Sequence, residues 1–150
     1  MDAKTLAGFR SNVADVRLIM IQSAEEFINL RESDISEDQF RASNEEAPLE
    51  VWLEVMTKFP KMRSWVAHNK TVPIKILERL AVDESIDVRA VVASKRKIPK
   101  HLQLLLAKDS CDSVREQLAY NAKCDAQILE QLANDPVTFV RTAAAKRLEQ

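Results

Sequence analysis

A spacing constrains this chain before any single residue does. Segments beginning at Met62, Val88 and Val114 follow one another every 26 residues without a gap, and a truncated fourth begins at Val140. They read MRSWVAHNKTVPIKILERLAVDESID, VRAVVASKRKIPKHLQLLLAKDSCDS, VREQLAYNAKCDAQILEQLANDPVTF and VRTAAAKRLEQ. A fixed period of this length marks a stacked-repeat architecture, in which each unit is too small to bury an apolar face alone and leans on its neighbours.

The matched columns specify helices. Val66, Val92, Leu118 and Ala144 fall together, as do Ala67, Ala93, Ala119 and Ala145, on one side of a short first helix. Further along each unit, Ile76, Leu102 and Ile128 align, then Leu80, Leu106 and Leu132, then Ala81, Ala107 and Ala133. That is the i, i+4, i+5 face of a buried second helix, and alanine lets neighbours approach closely. A single glycine, Gly8, and five dispersed prolines agree with helices rather than turn-rich strands.

Boundary signals divide the units in the same way. Pro73 and Pro99 are expected at the first position of the second helix, where a missing N–H costs nothing, with Asp125 in the same column. Ser113 with Glu116 reads as a capping box and Asp87 as a cap for the first helices. Asn69 and Asn121 stand where the first helix ends, a place that favours a left-handed backbone. Lys95 takes that column in the middle unit.

The run V-R-x-x-V-A-x-N, the proline-opened helix carrying L-x-x-L-A, and an aspartate ahead of the next V-R resemble the leucine-rich repeat variant, a HEAT-like helical repeat family. The likeness covers about residues 48 to 150. It implies an all-α, right-handed solenoid of stacked short helical pairs. Some relatives carry an N-terminal iron–sulfur cluster, for which this chain lacks the cysteines. HEAT-like alkylpurine DNA glycosylases are similar in architecture alone, without a shared catalytic motif.

Upstream, Pro48, Val51, Trp52, Val55 and Met56 match Pro73, Ile76, Leu77, Leu80 and Ala81 when one residue is skipped, so a degenerate unit precedes the clear ones and its helix ends near Phe59 and Pro60. Leu6, Phe9, Val13, Val16, Met20, Phe27 and Leu30 follow steps of three and four, with Ser23 in one slot. That pattern is a long amphipathic helix, which either caps the open end of the solenoid or pairs two copies into a homodimer. The acidic stretch between them reads as a solvated linker or a short helix starting at Ser36 with Gln39. Residues 1–47 are thus expected to form cap and linker, and 48–150 the repeats, in one compact domain.

Charge is uneven. Residues 1–50 hold eleven acids against five bases and residues 51–150 twelve acids against seventeen bases, although the whole chain is close to neutral at −1. Cys111 and Cys124 fall short of a four-ligand metal set and read as reduced thiols in a cytoplasmic protein. No apolar run approaches the roughly 20 residues that span a bilayer, so no membrane partner is expected. His68 and His101 lie in different units without a nucleophile or metal-ligand spacing, so neither catalysis, metal nor cofactor is expected.

Two columns are polar at every repeat: Arg63, Arg89, Arg115 and Arg141, and Asp83, Asp109 and Asp135. Each of the last three arginines follows an aspartate by six residues, which points to mutual neutralisation across the inter-unit turns. A basic cluster, Lys95, Arg96, Lys97, Lys100 and His101, offers the alternative of phosphate or nucleic-acid binding through Arg89, Arg96, Lys97 and Lys100. The leading expectation is recognition of another protein by an immunity-like or antitoxin-like bacterial module. Its surface would be the freely varying positions, Trp65, His68, Arg79, Ser94, Leu104, Leu105 and Tyr120.

Overall fold

Ten α-helices make up residues 20–150, which are those the computed structural model describes, and no strand occurs among them. The chain divides into two compact units, Met1–Val72 and Pro73–Gln150.

The first unit contains α1 (Ala24–Glu32), α2 (Ser36–Asn44), α3 (Leu49–Lys58), a 3-10 turn (Pro60–Met62) and α4 (Arg63–His68). Helix α1 does not continue an upstream helix through the apolar stripe. Ser23 is extended and its hydroxyl accepts the Glu26 N–H at 3.0 Å, while the Ile21 N–H is taken by the Glu46 carbonyl at 2.9 Å. A serine that can satisfy the first free N–H groups of a helix starts one rather than continuing one. Leu6, Phe9, Val13 and Val16, and with them the cap and dimer readings, lie outside the described residues.

The acidic stretch is helical as α2. Gln39 reaches back to donate to the Ser33 carbonyl at 2.8 Å, and the Ser33 hydroxyl donates to Asp38 at 2.7 Å. The arginine fork of Arg41 on Glu45, at 2.7 and 3.1 Å, draws the end of α2 onto the loop that follows it. Helix α3 buries Val51, Trp52, Val55 and Met56, the residues matched to the later second helices. Trp52 meets Phe27 of α1 edge-on, with ring centroids 5.2 Å apart and planes at 82°, a geometry favoured by the aromatic quadrupole.

The second unit consists of α5 (Ile74–Leu80), α6 (Ile86–Ser94), α7 (Lys100–Leu106), α8 (Asp112–Tyr120), α9 (Ala126–Leu132) and α10 (Thr138–Leu148). Both helix types recur at the 26-residue interval, α6, α8 and α10 forming one series and α5, α7 and α9 the other. Helix α6 packs on α8 and α8 on α10. Val92, Leu118 and Ala144 are fully buried, and so are Leu80 and Leu106. Each such leucine or isoleucine contributes roughly 2 kcal/mol by leaving water. One column departs from its expected place: Ala145, on α10, is exposed whereas Ala93 and Ala119 are buried.

The helix ends differ from expectation in instructive ways. Pro73 and Pro99 sit one residue earlier, as extended residues immediately before α5 and α7, where a fixed φ suits a non-helical residue equally well. Asp125 in that column caps α9, accepting the Gln127 N–H at 2.9 Å. Ser113 and Asp87 are not caps; each lies inside the first turn of its helix. The turn is made three residues before the helix, where Asp83, Asp109 and Asp135 accept the N–H groups of Ser85, Cys111 and Val137 at 2.9, 2.8 and 2.9 Å. Aspartate forms such Asx turns because its carboxylate reaches the backbone two residues on.

Candidate recognition surface

The arginine column is consumed inside the second unit. Arg89 forks onto Asp109 through Nε and Nη2 at 2.8 and 3.2 Å, and its Nη1 donates to the Asp83 carbonyl at 2.7 Å. Arg115 repeats the arrangement on Asp135 at 2.7 and 3.1 Å, with Nη1 on the Asp109 carbonyl at 2.7 Å. The carboxylate partner is therefore the aspartate 20 residues ahead, not the one six residues behind, which offers only its backbone. A planar fork held on two edges requires this division, since one edge faces a carboxylate and the other a carbonyl. Arg115 holds the Asp135 carboxyl below the usual aspartate range, assisted by the Val137 N–H.

Asn69 and Asn121 are extended at φ −61° and −62°, so neither is left-handed. Their value lies in the amide side chain. Asn121 is buried and donates to the carbonyls of Ala93 and Lys95 at 2.8 and 2.7 Å while accepting the Lys123 N–H at 2.9 Å. Asn69, inside the first unit, donates to Ala42 and Glu45 at 2.8 and 3.0 Å and accepts the Thr71 N–H at 2.8 Å. One amide thereby satisfies three backbone groups that would otherwise be stranded at helix ends.

Gln103 plays a similar part, unmatched in its column between Leu77 and Leu129. It is buried, donates to Ile98 at 3.2 Å, and accepts the Asp125 N–H at 2.8 Å. The interruption of a leucine column by an amide was its signal in the sequence.

The basic cluster is dispersed by this framework. Lys95 is half-buried in the asparagine column, and burial pushes its amine down to about 8. Lys100 is held by Asp125 at 3.4 Å and by Gln127 at 2.9 Å, and His101 faces Glu78 at 2.9 Å. Arg96 and Lys97 remain exposed on the loop between α6 and α7. The thiols differ: Cys111 is drawn down by its hydrogen bond with Ser113, and Cys124 is pushed up to about 11 by burial. Among the described residues, no group of histidine, cysteine or acid side chains is placed to hold a metal ion.

Of the varying positions, Trp65 and His68 share α4, with ring centroids 5.3 Å apart. The Arg31 guanidinium lies 3.4 Å over the Trp65 ring, which occupies one face of the indole within the first unit. In the second unit Ser94 and Tyr120 come together with Arg96, Gln117, Asn121 and Ala122 around a shallow concavity of about 360 Å³. Tyr120 is 54% exposed there. Leu104 and Leu105 lie on α7 instead, 41% and 44% exposed, with Arg79 exposed on the preceding helix of that series. Within the second unit these residues thus fall into separate patches, Ser94 with Tyr120 and Leu104 with Leu105.

Compared with known protein families, curated proteins and solved structures, the chain matches none. No helix among the described residues is long and apolar enough to cross a membrane.

Proposed function

We propose that the chain is a non-catalytic module that recognises another protein, built as a right-handed solenoid of 26-residue helical pairs and acting in the cytoplasm in an immunity-like or antitoxin-like role. The observation that carries this reading is the Leu104–Leu105 pair. Matched positions in the flanking units are polar, Glu78 and Arg79 before and Glu130 and Gln131 after, whereas these two leucines stand more than two fifths exposed side by side. Apolar side chains of that size left in water on a rigid helix, flanked by polar residues, fit the core of a protein interface. The repeated arginines, aspartates and asparagines support the same division of labour, because they are occupied in holding the helices together.

A second reading, phosphate or nucleic-acid binding, draws support from exposed Arg96 and Lys97. Engagement of Arg89 with Asp109 and of Lys100 with Asp125 weakens it. The two separate cleanly by capture of partners with tagged chain from its native lysate, with and without nuclease. Protein recognition predicts a near-stoichiometric partner that survives nuclease and is lost with Leu104→Glu/Leu105→Glu. Nucleic-acid binding predicts recovery that nuclease abolishes and that falls steeply with salt.

A further inference from the structure

Helix α7 departs from its neighbours in charge as well as in apolarity, and both departures fall on one exposed face. From Arg96 to Lys108 the chain carries the bases Arg96, Lys97, Lys100 and Lys108 and no acid. The matching stretch before it includes Glu78, and the one after it sets Asp125 and Glu130 against Lys123 alone. Repeats are free to differ where packing makes no demand, so two differences that coincide at one helix mark a surface shaped for something outside the fold.

Contacts between helices define that surface. His101 Nε2 meets Glu78 of α5 at 2.9 Å and Lys100 Nζ meets Gln127 of α9 at 2.9 Å, so the exposed faces of the three helices adjoin. Leu104 and Leu105 lie at the centre, with Lys100 a turn before them, Lys108 directly after the helix, and Arg79 in the column of Leu105 on α5. The side chains of Arg79 and Lys108 are exposed and make no hydrogen bond or ion pair among the described residues. Glu78 is engaged by His101 and Asp125 by Lys100, which leaves Glu130, on the α9 side, as the acid without such a contact.

We propose that this face takes an acidic amphipathic helix of the partner protein. Its apolar stripe lies on Leu104 and Leu105, and its carboxylates, about two turns apart, meet Lys100 at one end and Lys108 with Arg79 at the other. The inference rests on the reading of the leucine pair as an interface core and adds the chemistry of what covers it. A phosphate backbone would pair with the cations but press charge onto the leucines. A neutral apolar surface would cover the leucines but strand the cations. The charged rim then selects the partner while the leucines hold it.

Two synthetic alanine-based helical peptides test this on the whole chain. One carries a leucine pair bracketed by glutamates about two turns apart, and the other has lysines in place of the glutamates. The glutamate peptide should bind about tenfold more tightly by fluorescence anisotropy, since several exposed ion pairs act together. Arg79→Glu/Lys108→Glu should invert that preference with helicity and melting unchanged. Equal binding of the two peptides, no saturable binding of the glutamate peptide up to millimolar concentration, or an unchanged preference in the double variant overturns the proposal. Adsorption to phosphatidylserine vesicles in place of the glutamate peptide would assign the face to a membrane and overturn it too. The recognition reading fails separately: a captured partner lost with Leu104→Glu/Leu105→Glu but kept by Arg79→Glu/Lys108→Glu leaves that reading standing and sinks this one.

Discussion

The two units hold short helices together by different chemistry. In the first, a large aromatic pair, Phe27 and Trp52, fills the space among helices of irregular spacing, and Arg41 ties α2 to the loop after it through Glu45. In the second, aliphatic side chains of modest size recur in register, and each interval is fixed by the same arginine fork and the same Asx turn. Irregular spacing needs bulk to fill what regular stacking would close. Regular stacking needs direction, which hydrophobic contact lacks and a bidentate ion pair supplies.

This contrast makes Trp52→Ala the most damaging single change. It empties a fully buried site and should cost about 3 to 5 kcal/mol, measured by urea unfolding, with hydrogen exchange rising in α1 to α4 more than in α6 to α10. Trp52→Phe should be far milder. The indole Nε1 is buried without a hydrogen-bond partner among the described residues, so its removal relieves an unsatisfied group while most of the volume stays. Equal losses for Trp52→Ala and Trp52→Phe would mean that bulk is not what the first unit depends on.

In the second unit, Arg115→Met should cost about 3 kcal/mol by leaving the Asp135 carboxylate buried and unpaired, while Arg115→Met with Asp135→Leu should recover part of the loss. Thermal unfolding of the four members of that cycle measures it. Recovery to better than the parent stability would assign the ladder to register rather than to net stabilisation.

Asn121→Ala comes next, at roughly 1 to 3 kcal/mol, because it strands the Ala93 and Lys95 carbonyls and the Lys123 N–H. Had the asparagine served a left-handed turn, glycine would substitute well; the extended backbone predicts that Asn121→Gly fares no better than alanine.

How much of this was legible in the sequence follows the same line. Columns that recur, such as Leu80, Leu106 and Leu132, announced both helix and core, because three coincidences at one period leave little else to infer. The ladder was visible as two polar columns, yet its pairing was misread, since adjacency in sequence favours the aspartate six residues away and only the packing of α8 on α10 brings the one 20 residues away into reach. The asparagine column was seen and assigned the wrong task, because the carbonyls it serves are more than 20 residues distant. Ser23 as a helix start was hidden by an apolar stripe that ran straight through it. The exposed leucines of α7 were found for the opposite reason, by failing to match their neighbours.

The smallest effects are those of pH. Asp135, held low by Arg115, contributes stability that is present above the ordinary aspartate range and is lost as pH falls from that range through its lowered value, and Asp135→Asn should lack this component of the acid dependence. Lys95 behaves in the opposite sense. With its amine pushed down to about 8, the unfolded chain binds more protons between there and the usual lysine range, and stability should rise with pH across that window. Lys95→Asn, which restores the column residue, should flatten that rise. A slope that persists in the variant would assign it to another group.

The position of the ladder's partners also sets a rule for changes in chain length. Arg89 and Arg115 each take a carbonyl six residues behind and a carboxylate 20 residues ahead, so the pattern closes on itself only when whole repeats are added or removed. Excising residues 88–113 brings Arg115 six positions after Asp83 and leaves Asp135 where its fork already finds it. A loss of any length other than a whole repeat breaks the pairing of the arginine whose carbonyl or carboxylate lies across the cut. This architecture is therefore forgiving of duplication and unforgiving of a shift, and it would grow or shrink in whole steps.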